Sequence, residues 1–154
     1  MTTSPHILVV EARFYADIAD ELARGALATL EEAGATYERR AVPGAFEIPA
    51  AIAIAHEAGE QEAIDRPFDG FVALGCVIRG ETSHYDYVCG ESARGLQDLA
   101  VGLHLPIGYG ILTVENDDQA WARAKVDRKN KGRDAAQACL DMIALKRHFR
   151  LLPE

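Results

Sequence analysis

The sequence predicts an α/β protein in which a four-stranded parallel sheet carries helices on both faces. Three observations point there. Two short apolar runs, Ile7-Leu8-Val9-Val10 and Phe71-Val72-Ala73-Leu74-Gly75-Cys76-Val77, lack the alternation of a half-exposed strand and suit strands covered on both sides. Between the strand candidates, apolar residues recur at helical spacing. The resulting order, βαβαβαβαα, joins parallel neighbours through right-handed crossovers. It brings the segments that follow the strands to one edge of the sheet, where ligands bind in such folds.

Ile7 to Val10 is the first strand. From about Tyr15 to Ala33, Ile18, Leu22, Ala26 and Leu30 mark the buried stripe of a helix, with Asp17, Asp20, Glu21, Arg24 and Glu31 between them and Gly34 as its stop. Thr36 to Val42 is more polar and alternating, which places it at a sheet edge. Pro43-Gly44 breaks that strand. Pro49 sits in the first turn of an alanine-rich helix that runs to about Ala58, and Gly59 to Pro67 is a charged connection. Gly70 to Ile78, the most apolar segment, is the central strand. Ser83, with Asp86 three positions on, reads as the N-cap of a helix to about Leu103, in a variant of the capping box. Ile107 to Val114 is the fourth strand, and Asn116-Asp117-Asp118-Gln119 opens a short helix to about Lys125. The basic connection Arg128-Lys129-Asn130-Lys131-Gly132-Arg133 leads to a last helix from about Asp134 to Phe149, with Cys139, Met142, Ile143 and Leu145 as its expected inward face. The 154 residues are expected to form one domain with a flexible N-terminus over 1–6.

Charge excludes several partners. With 16 Lys and Arg against 24 Asp and Glu, the net charge is −8, so the chain lacks the basic field that nucleic acid or an anionic membrane surface requires. No apolar stretch reaches ~18 residues, and the N-terminus lacks the pattern of a signal peptide. Cys76, Cys89 and Cys139 are odd in number and form no CxxC pair, which argues for a reducing cytoplasm over a disulfide framework or a zinc site. His6, His56, His104 and His148 have no ligand spacing with a nearby carboxylate, so each is expected to be structural or solvated, and no metal is expected.

The strand ends supply the candidate site. Gly80 permits close approach of backbone to a ligand, Thr82 and Ser83 add hydroxyls, and the unpaired N–H groups of the helix starting at His84 form an anion site. Two readings stand: a phosphate cradle, or a plain turn that Ser83 caps. His84 is either a proton carrier beside such an anion or a surface residue. Phe14 and Phe46 each follow a strand, as core residues or as stacking surfaces for a flat heterocycle. Glu47 either favours a helix N-terminus through its charge or accepts hydrogen bonds from a polyol. Arg79, Arg123 and Lys131 supply positive charge for a phosphate, although a basic run is also an ordinary solvated face, and spacing does not say whether Arg123 serves its own sheet or a neighbour's.

Four ordered motifs narrow these readings. Pro43-Gly44-Ala45-Phe46-Glu47-Ile48-Pro49, Gly75-Cys76-Val77-Ile78-Arg79-Gly80-Glu81-Thr82-Ser83-His84-Tyr85-Asp86-Tyr87-Val88, Gly110-Ile111-Leu112-Thr113-Val114-Glu115-Asn116 and Asn130-Lys131-Gly132 resemble, in order and spacing, the 6,7-dimethyl-8-ribityllumazine synthases, with similarity from about Ile7 to Leu145. The resemblance implies a flavodoxin-like three-layer sandwich of strand order 2-1-3-4. It implies condensation of 5-amino-6-(D-ribitylamino)uracil with 3,4-dihydroxy-2-butanone 4-phosphate in the penultimate step of riboflavin synthesis, with loss of phosphate and water and without cofactor or metal. It also implies a homopentamer with active sites shared between adjacent subunits. Carried over by motif, Phe14 would stack on the pyrimidine, backbone groups at Ala45-Phe46 and Val77-Ile78 would fix its edges, and Glu47 would hold the ribityl hydroxyls. The turn Gly80, Glu81, Thr82, Ser83 would cradle the phosphate with Arg123 as its cation, and His84 would shuttle the proton. Tyr109 and Lys131 would come from the neighbouring chain.

The chain departs from the family pattern in places. Tyr15 stands where Asn is usual, Tyr109 replaces a common Phe, and Glu81 puts a negative charge in the phosphate turn, so that turn must donate through its backbone and Thr82. Ala124-Lys125-Val126-Asp127-Arg128-Lys129-Asn130 lacks the glycine-rich turn of members that build sixty-subunit shells, which predicts free pentamers or pairs of pentamers. A flavin-binding module is disfavoured because Glu11-Ala12-Arg13-Phe14-Tyr15 is no Ser/Thr-rich phosphate loop, and a receiver domain because Val77-Ile78 stand where its aspartate belongs. His84, Arg123 and Lys131 together argue against a scaffold that has lost turnover.

Overall fold

Strands β1 (His6–Ala12), β2 (Thr36–Val42), β3 (Gly70–Ile78) and β4 (Ile107–Val114) run parallel in the order β2-β1-β3-β4 in the computed structural model, which describes residues 3–154. Helices α1 (Ala16–Glu32), α4 (Asp117–Ala124) and α5 (Lys131–His148) cover one face, and α2 (Ile48–Glu60) and α3 (His84–Leu103) the other. This is the flavodoxin-like three-layer sandwich that the sequence predicts. Among the described residues, no helix is long and apolar enough to cross a membrane.

Alternation along the inner strands builds two cores at once. Ile7, Val9, Val72 and Leu74 pack with Leu22, Leu30, Cys139 and Ile143 on one face, while Leu8, Val10, Phe71 and Ala73 pack with Ile48, Ile52 and Leu96 on the other. Both sets are buried, which is why β1 and β3 look continuously apolar in sequence. β2 is the exposed edge, and its Glu38, Arg39 and Arg40 guard it against further pairing.

β1 runs beyond Val10 to include Glu11, only 3 % exposed. A carboxylate is tolerated there because it is paired: Arg39 Nε and Nη2 donate to its two oxygens at 2.8 and 2.9 Å, and Arg13 Nη1 donates at 3.0 Å. α1 ends as expected at Gly34, whose φ of +74° suits glycine. The Gly34 and Ala35 N–H groups close onto the Glu31 and Leu30 carbonyls.

Two details differ from the sequence reading. α5 begins at Lys131, three residues before Asp134, because Asn130 caps it: its Oδ1 accepts from the Arg133 N–H. On α5, Cys139 and Ile143 face inward, but Met142 and Leu145 are about half exposed, since the helix meets the sheet along a narrower stripe of Gly132, Ala135, Ala136, Cys139 and Ile143. Of the segment expected to be flexible, residues 1–2 lie outside the described residues; Thr3 O accepts from Arg147, Ser4 O accepts from Arg66, Pro5 O accepts from the Thr36 N–H, and His6 opens β1.

Candidate active site

The segments leaving the carboxyl ends of β1, β2 and β3 enclose a cleft of about 610 Å³. From β1, a tight turn presents Phe14. Arg13 braces that turn by donating both to Glu11 in β1 and to Asp20 in α1. Phe14 is 77 % exposed and Phe46 54 %, so neither is a core residue, and both line the cleft. The Phe14 ring meets Tyr15 edge-on, with centroids 4.9 Å apart at 79°. Tyr15 in turn packs against the core.

After β2, Pro43-Gly44 turns the chain into a single 3₁₀ turn, Ala45–Glu47, which buries Ala45 and leaves Phe46 and Glu47 outside. The Glu47 side chain caps no N–H of α2, although it stands at that helix's start. It lines the cleft beside Phe46. Val77 and Ile78, half-buried at the end of β3, line the cleft from the sheet.

The turn into α3 is less tied down than its sequence suggests. Ser83 occupies the cap position but makes no side-chain cap, because its φ of −72° and ψ of −3° are already those of the right-handed helix, whereas a capping residue stands outside that region. Thr82 Oγ1 instead accepts from the His84 N–H at 3.3 Å. Gly80 has open space where a Cβ would stand, so no packing within this chain demands glycine there. The Asp86 N–H donates to the Ser83 carbonyl at 3.0 Å, so the N–H groups left without a partner among the described residues at the start of α3 are those of Ser83 and Tyr85, beside the cleft that Gly80, Thr82 and His84 line.

Of the residues the sequence points to, Phe14, Ala45, Phe46, Glu47, Val77, Ile78, Gly80, Thr82 and His84 come together in this cleft. Glu81 and Ser83 belong to the same turn without lining it. Tyr109, Arg123 and Lys131 lie elsewhere on their own chain. Tyr109 projects half-exposed from β4 opposite Ala73, Arg123 Nη1 donates to the Gln119 carbonyl at 3.0 Å, and Lys131 Nζ pairs with Asp134 at 3.2 Å. Arg79 also stays out of the cleft and bonds to Glu115. Tyr85, Tyr87 and Val88 line the cleft without having been singled out. Tyr87 and Val88 follow His84 by three and four residues, and that helical spacing is the sequence signal for them.

Cys76 also lines the cleft, and burial pushes its thiol from 9.0 up to about 12; burial does the same to Cys139. A thiol pKa raised by that much cuts the thiolate at neutral pH by about 10³-fold. A thiol reagent at pH 8 is therefore expected to leave Cys76 and Cys139 unmodified in the native protein over a time that labels all three cysteines after denaturation. Peptide mapping showing fast native modification of either would contradict this.

A sequence model of the 6,7-dimethyl-8-ribityllumazine synthase family matches residues 4–147. The chain is 60 % identical over 145 residues to the 6,7-dimethyl-8-ribityllumazine synthase of Agrobacterium fabrum, covering 94 % of this chain and 97 % of that one. It is 58 % identical to the enzyme of that name from Bartonella tribocorum (97 % and 95 % covered) and 59 % identical to that from Methylorubrum populi (96 % and 86 % covered).

Proposed function

The chain belongs to the 6,7-dimethyl-8-ribityllumazine synthase family, transferases that form lumazine in riboflavin biosynthesis, and from that premise we propose that it carries out the penultimate step, condensing 5-amino-6-(D-ribitylamino)uracil with 3,4-dihydroxy-2-butanone 4-phosphate. The observation that carries this reading is one cleft holding two exposed aromatic rings, a carboxylate and a helix start at which the Ser83 and Tyr85 N–H groups have no partner among the described residues. The pyrimidine stacks on Phe14, backbone groups at Ala45-Phe46 and Val77-Ile78 meet its edges, and Glu47 accepts from the ribityl hydroxyls. The turn Gly80–Ser83 and the first N–H groups of α3 hold the phosphate. The amine attacks the ketone and loses water to give an imine. The adjacent carbon gives up a proton as phosphate departs, the resulting enol becomes a ketone, and the ribitylamino nitrogen attacks that ketone to close the ring with loss of a second water. His84, at the helix start beside the phosphate turn, moves the proton, and fixed juxtaposition of the two substrates supplies much of the rate.

Tyr109, Arg123 and Lys131 support a shared site. All three are assigned to the reaction by motif, yet all three lie outside their own chain's cleft. In a cytoplasmic ring of five, each chain uses them to complete its neighbour's cleft, with Arg123 as the phosphate cation. The α4–α5 connection keeps only the Asn130-Lys131-Gly132 end of the shell-forming turn, which favours free rings or pairs of rings.

Mixing the purified protein with both substrates is expected to produce lumazine absorbance, with the chain sedimenting as rings of five 16.7 kDa subunits, about 84 kDa, or as pairs of them. A protein that binds the product but turns nothing over would be a carrier, not an enzyme. A megadalton particle would overturn the assignment of free rings.

A further inference from the structure

The turn from Arg79 to Ser83 has little of its own to hold it. Gly80 is unpacked, Ser83 caps nothing, and every residue from Arg79 to His84 is exposed. A loose turn is a poor anion site, because its N–H groups must converge before the ligand arrives. What fixes it is Arg79. Its N–H donates to the Val114 carbonyl at 2.9 Å and extends the β3–β4 ladder by one residue. Its Nε donates to Glu115 Oε2 at 2.7 Å, its Nη2 lies 3.5 Å from Asp86 Oδ1 in the first turn of α3, and its guanidinium carbon sits 4.3 Å above the centroid of the Tyr85 ring. One side chain thus ties the turn to the start of α3 and to the residue that follows β4.

Glu115 is held as well. Its N–H donates to Gln119 Oε1 at 2.8 Å, and the Gln119 N–H donates to Asn116 Oδ1 at 2.9 Å in the cap of α4. Arg123 donates to the carbonyl of the same Gln119. The connection therefore runs from the phosphate turn to the helix that carries Arg123. A cation in a phosphate turn suggests direct contact with the anion, but here two carboxylates already compensate the guanidinium, Tyr85 covers its face, and it lies outside the cleft.

We propose that Arg79 is a positioning residue: clamped to Glu115 and Asp86 and stacked on Tyr85, it sets the turn Gly80–Ser83 for phosphate without touching the phosphate. This rests on the proposed lumazine-forming reaction. Because the pair is exposed, it contributes little to stability, and its effect is expected in binding geometry.

The test compares the assembled wild-type protein with Arg79→Gln, Glu115→Gln and the double variant, by titration with inorganic phosphate and by steady-state kinetics. Each single substitution is expected to weaken phosphate binding, and to raise KM for the phosphate substrate, by about fivefold. KM for the pyrimidine should stay within about twofold, and the double variant should be no worse than the worse single. If Glu115→Gln binds phosphate as well as wild type or better while Arg79→Gln weakens it, Arg79 contacts the anion directly and the proposal is wrong. Additive losses in the double variant overturn it equally. A wild-type protein that fails to bind phosphate at all refutes the parent reading of the turn, a result distinct from normal wild-type binding with an unaffected Glu115→Gln.

Discussion

Assayed at a phosphate-substrate concentration well below KM, where His84→Ala and Arg123→Ala chains alone each keep about a tenth of wild-type activity or less, the two co-expressed are expected to form mixed rings that recover about a quarter of it. The two residues lie apart in a single chain. His84 lines the cleft of its own chain, whereas Arg123 folds back on Gln119 of its own helix and does not reach that cleft. If each site takes His84 from one chain and Arg123 from the next, an Arg123→Ala chain followed by a His84→Ala chain has both groups intact at their shared interface. Random assembly at equal amounts gives that ordered pair at about one interface in four. If both groups came from one chain, every site in the mixture would lack one of them, and no activity would return.

Each parent variant fails in its own way. Loss of a positioned acid–base group slows the chemical step by tenfold or more, so His84→Ala is expected to depress kcat while leaving pyrimidine affinity nearly intact. Loss of the phosphate cation removes a charge-assisted interaction worth ~1.5–3 kcal/mol, so Arg123→Ala is expected to raise KM for the phosphate substrate by roughly 10–10²-fold. Steady-state kinetics on the separate variants check both, and an Arg123→Ala protein with unchanged affinity for the phosphate substrate would remove that residue from the site.

The sheet was legible because its inner strands are buried on both faces, which leaves an unbroken apolar signature in β1 and β3 that no amphipathic helix imitates. β2 was legible for the opposite reason, as an exposed and charged edge. Local chemistry was harder to read where two residues compete for one task. Ser83 and Thr82 both offer a hydroxyl at the start of α3, and only the backbone angle at Ser83 gives the cap to Thr82. The start of α5 was misplaced because Arg128 to Arg133 looks like a solvated basic run, while Asn130, at φ of +46°, is in fact a cap. Residues that line the cleft from one chain follow from strand ends and helix spacing. Tyr109, Arg123 and Lys131 lie outside their own chain's cleft, and no rule of strand ends or helix spacing singles them out for a site; they come from the motif resemblance alone. Arg79 shows the converse: a cation in the right loop whose charge is already taken by Glu115 and Asp86.

Gly132→Ala is expected to destabilise the protein by ~1–3 kcal/mol, although helix propensity alone favours alanine by ~1 kcal/mol. A Cβ at Gly132 would lie 2.1 Å from the Leu22 carbonyl oxygen and 3.1 Å from the Ala26 nitrogen, both backbone atoms of α1 that cannot turn aside. The contact is reciprocal, since a Cβ at Gly25 of α1 would lie 2.1 Å from Asn130 Oδ1, the oxygen that caps α5. Two glycines thus let α1 and α5 meet backbone to backbone, and forcing them apart strains the packing and disturbs the Asn130 cap, itself worth ~1 kcal/mol. Gly90→Ala in α3 separates packing from propensity. Nothing within the chain stands near a Cβ there, so that variant is expected to be neutral or stabilised by up to ~1 kcal/mol. Denaturation midpoints measured at one protein concentration decide between the two effects, and a Gly132→Ala protein as stable as wild type would refute the close-packed junction. Lys131 precedes Gly132 in the first turn of α5, so the same strain is expected to move that lysine and lower turnover even in the fraction that stays folded.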